Sequence, residues 1–246
     1  MRKELTAVLV CAMLAIPLAA TAKLQTWDMS GLFKSTATRH IDIDLKAGKI
    51  VWTGSARVEL VQQGVSLDAE EVTVYITNTP KPNAKTAQQY AVERILLKGA
   101  GAKVVSKLKG FSLSANDISI TMPEDSKAPA IKSALAEGKV VFFQSSPGFS
   151  ANGKSDRMEV LENGDKAVLT GSVTLDWTNQ VVAGPSVGGA PVAPAVYTGN
   201  LAGDKATITG LTAKPGEQVN PHIVFESEES LSELNVTPPP SQPAAK

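Results

Sequence analysis

One pattern recurs along these 246 residues: three alternating apolar positions, a three-residue step, then two or three more. It reads Val65, Leu67, Ala69 then Val72, Val74, Ile76, and returns 46 residues later as Phe111, Leu113, Ala115 then Ile118, Ile120, Met122. A looser copy runs Ala151, Gly153, Ser155 then Met158, Val160, and a fourth runs Leu201, Gly203 then Ala206, Ile208. Successive side chains of a strand point to opposite faces, so a period of two lines one face. A three-residue step swaps that face unless a bulge or bend absorbs the extra residue, so each copy predicts a kinked strand. Repetition of the unit predicts one module stacked on itself.

A long alternating strand precedes each kinked one. The first places Ile50, Trp52, Gly54, Ala56, Val58 and Leu60 on one face, opposite Thr53, Ser55, Arg57 and Glu59. The others begin near Ile95 and Leu97, near Val140 and Phe142, and at Leu169. Trp52-Thr53-Gly54-Ser55 echoes Leu169-Thr170-Gly171-Ser172. Glycine inside a strand marks a bulge or corner, so both glycines are expected where the sheet bends. Upstream, segment 23–47 is mixed in polarity before alternating through Ile41, Ile43 and Leu45. The expected class is all-β with at most one short helix, for which 127–138 is the candidate: Ala128 to Glu137 is rich in helix formers and Gly138 could close it. Residues 80–90 and the Gly/Pro-rich 181–196 read as loops. The tail 236–246, with Pro238, Pro239, Pro240 and Pro243, is expected to be disordered or extended.

At the N-terminus, Arg2 and Lys3 precede an apolar run from Ala7 to Ala20, and Ala20-Thr21-Ala22 has the small-x-small form of a cleavage site. This describes a secretory signal peptide over 1–22, against the rival of a retained membrane anchor. The expected domains are 1–22, a β-domain of about four repeats over 23–235, and the tail 236–246. The single cysteine, Cys11, lies inside the leader, so the folded part must rest on an apolar core rather than disulfides. Val10 before Cys11 argues against lipidation there. With 24 basic and 24 acidic residues there is no electrostatic footprint for nucleic acid.

Catalysis has little to build on. Only His40 and His222 exist, so no histidine cluster of metal-ligand spacing forms. Asp42 and Asp44 share a strand face, and Glu226, Glu228 and Glu229 cluster before the tail. A solvated, charged strand edge that discourages sheet-to-sheet pairing accounts for both groups. Gly184 to Gly189 lacks the lysine and following helix of a phosphate cradle. The expectation is a chain without enzymatic activity, cofactor or metal.

An apolar sheet face needs cover, either from a second sheet in a sandwich or from its own other half in a V or flattened roll. Residues Val51-Trp52-Thr53-Gly54-Ser55-Ala56 through Gln63-Gly64-Val65-Ser66-Leu67-Asp68-Ala69-Glu70-Glu71-Val72-Thr73-Val74 resemble the OstA-like (organic solvent tolerance) repeat. That is the repeat of the LptA/LptC type of periplasmic lipopolysaccharide-transport protein. Gly110-Phe111-Ser112-Leu113-Ser114-Ala115-Asn116-Asp117-Ile118 matches less fully, and Leu169-Thr170-Gly171-Ser172-Val173 with Gly203-Asp204-Lys205 keeps parts of it. The resemblance spans roughly 45–210; the 181–196 insertion and a weak third copy depart from it. It implies an OstA-like β-jellyroll, an open V-shaped stack of kinked antiparallel strands. It further implies a periplasmic carrier or bridge for lipopolysaccharide that holds lipid A acyl chains. Partners would be other β-jellyroll transport proteins, or a second copy, joined by edge-strand pairing and peripheral to membranes. One-face alternation would line the lipid groove with Val58, Leu60, Leu67, Val72, Val74, Ile76, Leu113, Ile118, Ile120, Met122 and Leu201. The alternative is a structural or adhesive envelope protein with a closed core and no lipid ligand.

Overall fold

The computed structural model describes residues 24–29, 33–61, 64–79, 89–107, 110–123, 131–181, 195–212, 221–227 and 235–237. The expected leader, the loop 182–194 and the tail from 238 lie outside the described residues. Thirteen strands form one sheet: β1 (Gln25–Met29), β2 (Phe33–Ala37), β3 (His40–Asp44), β4 (Lys49–Leu60), β5 (Val65–Thr79), β6 (Gln89–Ser106), β7 (Phe111–Thr121), β8 (Ser133–Ser146), β9 (Phe149–Leu161), β10 (Lys166–Val181), β11 (Ala195–Thr209), β12 (His222–Glu226) and β13 (Asn235–Thr237). Neighbours follow chain order from β4 to β12, and every pairing is antiparallel. Among the described residues the only helical element is a single 3-10 turn, Glu162–Gly164.

The kinks fall where the steps predict them. In β5, β7, β9 and β11 the inward positions jump by three, from Ala69 to Val72, Ala115 to Ile118, Ser155 to Met158 and Gly203 to Ala206. The strands between them take up the mismatch with extra residues. Thr53 and Ala56 of β4 face Glu71 and Ala69, three residues against two. Thr170 and Val173 of β10 face Lys205 and Gly203 in the same way. The echoed tetrapeptides adopt one backbone: Gly54 and Ser55 have φ of 80° and 47°, Gly171 and Ser172 74° and 47°. A left-handed pair of this kind forms a bulge that bends its strand, and glycine is the residue that enters it without steric cost. Register shifts recur at the same level in every pair from β4–β5 to β10–β11, so the bulges align into one crease across the sheet.

The crease makes the core. Residues on both sides of it, such as Trp52 and Val58 on β4 or Leu67 and Val74 on β5, are fully buried and belong to one apolar cluster. A single sheet layer cannot bury one of its faces unaided, so the two halves cover each other. The outward face carries complementary charges across neighbouring strands. Arg57 lies opposite Asp68 with 3.8 Å between Nε and Oδ1, and Arg157 bridges Glu137 and Glu159.

One expectation needs correction. The helix over 127–138 is absent from its described part: Ser133–Ser146 is a strand, and 127–130 lie outside the described residues. Ala134 and Ala136 alternate inward in phase with Val140 and Phe142, so burial in the sheet overrides the helix preference of Ala, Leu and Glu. Gly138 (φ 78°) and Lys139 (φ 54°) form another corner rather than a helix stop. The alternation through Ile41, Ile43 and Leu45 lies at the margin of the sheet, where Ile43 and Leu45 are 41% and 48% exposed. Leu45 sits in the turn after β3, where Asp44 Oδ1 accepts from the backbone N–H groups of Lys46 and Ala47. Val236 and Thr237, the first residues of the expected tail, are extended and pair with Gly199 and Thr198.

Candidate functional site

The creased interior brings together the residues that alternation placed on one face. Val58, Leu60, Leu67, Val72, Val74, Ile76, Leu113, Ile118, Ile120 and Leu201 all belong to the buried cluster, none more than 5% exposed. Met122 is half-buried against its end. The cross-strand pairings Val58–Leu67, Val74–Ile95, Leu97–Ile118 and Val104–Leu113 continue that surface from strand to strand. Burial this complete means that side chains from the two halves are in contact. A chain of methylenes entering there would replace side-chain contacts with its own.

Toward the C-terminal end the interior changes character. Phe142 lies across from Gly153, and a Cβ on Gly153 would come within 2.2 Å of the Phe142 ring. Trp177 covers Gly199 in the same manner. Rings therefore fill space that side chains on those glycines would occupy, beside the buried aliphatic residues Leu169, Val173, Leu175 and Leu201. At the other end Trp52 meets Phe33 edge-on, with ring centroids 5.5 Å apart, while its Nε1–H donates to Ser35 Oγ at 2.8 Å.

No protein-family model matches this chain, and no curated protein matches it in sequence. Among solved structures it is similar to the crystal structure of LptH, the LptA homologous periplasmic component of the conserved lipopolysaccharide transport device from Pseudomonas aeruginosa. That match covers 79% of this chain and 94% of the other, at 12% identity and a TM-score of 0.26.

The residues weighed for catalysis lie apart. His40 and His222 are exposed at opposite ends of the sheet order, on β3 and β12. Asp42 and Asp44 are exposed, and Glu226 is held by Lys205 Nζ at 2.9 Å; Glu228 and Glu229 lie outside the described residues. Among the described residues no three His, Cys, Asp or Glu side chains gather closely enough to hold a metal. The Asp165 carboxyl is held below its ordinary range. The Thr212 hydroxyl donates to it at 2.6 Å, burial opposes that effect, and the backbone N–H of Thr212 donates at 3.0 Å. Its role is to tie the turn after β9 to the end of β11.

Sequence reasoning passed over one other feature. On the outward face of β8 to β11 a depression of about 380 Å³ is lined mainly by Phe143, Ser150, Asn152, Asp176, Thr178, Thr198 and Asn200. The available signal was Phe143 itself, an aromatic residue out of phase with the inward Val140 and Phe142.

Proposed function

We propose that this chain is a periplasmic carrier or bridge for lipopolysaccharide, holding lipid A acyl chains between the two halves of its creased sheet. The observation that carries this reading is the continuous apolar face on both sides of an aligned crease. The resemblance of residues 51–74 to the OstA-like repeat supports the same reading and adds the periplasmic setting. Each buried CH₂ contributes about 0.8 kcal/mol, so shape and apolarity hold a flexible chain without a charged or catalytic group. An entering acyl chain exchanges one apolar contact for another, so parting the halves has a small net cost and directional movement needs an outside source of energy. The alternative, a structural or adhesive envelope protein, is favoured by one observation: buried apolar side chains fill the interior.

A photo-crosslinking side chain at Ile120, on the inward face, and at Ser119, on the outward face, separates the two. After incubation with lipopolysaccharide vesicles the carrier reading expects lipid adducts from position 120 and few from 119. Equal yields, or none from 120, would sink it.

A further inference from the structure

On the other side of the sheet wall from the lipid path, we propose that the outward face of β8–β11 binds a neutral oligosaccharide. The lining residues stand in two transverse rows. Register aligns Phe143 with Asn152, Asn152 with Asp176 and Asp176 with Asn200. The adjacent row aligns Ser150 with Thr178 and Thr178 with Thr198. Neighbouring strands lie about 4.8 Å apart, so each row offers side chains at a spacing close to that of linked pyranose rings. The depression, at about 380 Å³, falls within the usual range for small-ligand sites.

The chemistry of the lining narrows the ligand. An apolar molecule would cover Phe143 and the carbon surface of the lining but would leave the amides, hydroxyls and carboxylate beneath it without partners. A phosphate or sulfate would meet Asp176 with no lysine or arginine in the lining. A metal ion would find one carboxylate. A neutral polyhydroxylated molecule fits, because each hydroxyl both donates and accepts. Asn200 Nδ2 donates to Asp176 Oδ1, which fixes both side chains. The second amide N–H, the amide oxygen and the remaining carboxylate lone pairs can still meet vicinal hydroxyls. Phe143 is 45% exposed and stands outside the core cluster. Its ring presents a face of negative potential to the polarised C–H bonds of a sugar ring.

The test is a lipid-free glycan microarray carrying neutral and anionic oligosaccharides, probed with the labelled full chain. With no acyl tail on the glycans, interior apolar contacts cannot account for retention, so the outcome is independent of the carrier reading. Retention on neutral glycans is expected, weakened about tenfold by Phe143→Ala and by Asp176→Ala, both at outward positions. Phe143→Leu, which keeps apolar bulk without the π face, should weaken it similarly if the alanine variant fails to fold. No retained glycan, retention of anionic glycans alone, or variants that bind like the wild type would each overturn the proposal.

Discussion

Ser35 and Asp165 show how single polar groups hold a sheet whose stability otherwise rests on apolar contact. Ser35 is 5% exposed and accepts from the indole N–H of fully buried Trp52. Ser35→Ala removes that acceptor and is expected to cost about 1–3 kcal/mol in urea denaturation, the usual penalty when a buried donor loses its partner. A loss under about 0.5 kcal/mol would show that the N–H finds another acceptor. Asp165 acts through pH. Thr212 lowers its pKa in the folded state, so its contribution is fully present above the unfolded value of about 3.9 and is lost as pH falls through the lower folded value. The melting-temperature gap between wild type and Thr212→Ala should therefore narrow as pH drops below about 4. A gap unchanged down to about pH 2 would refute this.

At the scale of the strand, the corner is the unit that matters. Ser55 and Ser172 each sit at φ 47°, where an L side chain is strained and glycine is not. Ser172→Gly is expected to be neutral to about 1 kcal/mol stabilising, since relief of left-handed strain outweighs the entropy of the more flexible unfolded chain. Deleting Ser172 should instead be severely destabilising, because β10 beyond it would slip by one residue and turn Val173 and Leu175 outward. Thermal denaturation of the two variants checks both signs. These corners were legible because Thr-Gly-Ser occurs twice in equivalent strands and the three-residue steps mark the partner strands. The corner at Gly138 and Lys139 was not, because Ala134, Leu135, Ala136 and Glu137 carry helix propensity and only sheet burial decides their state. The inward residues were legible because a period of two survives any uncertainty about pairing. The outward row of Asn152, Asp176 and Asn200 was not, since polar residues at outward positions are what any solvated strand face requires.

At the scale of the whole molecule, the described residues form a sheet with two unfinished ends. Among the described strands β1 pairs only with β2, and β12 only with β11, so each leaves a row of backbone groups on its outer side. Under the carrier reading these edges meet a neighbour. Sedimentation velocity should then show association that grows with concentration, and Val224→Lys, a charge at a 42% exposed position on β12, should weaken it about tenfold. A wild-type chain that stays monomeric at every concentration would remove the edge-pairing partner. The strand order has another consequence, in time rather than space. From β5 onward along the main path, each strand's first partner is the strand made just before it. A chain delivered N-terminus first can thus extend its sheet one strand at a time, and no strand waits for a distant segment still to be synthesised.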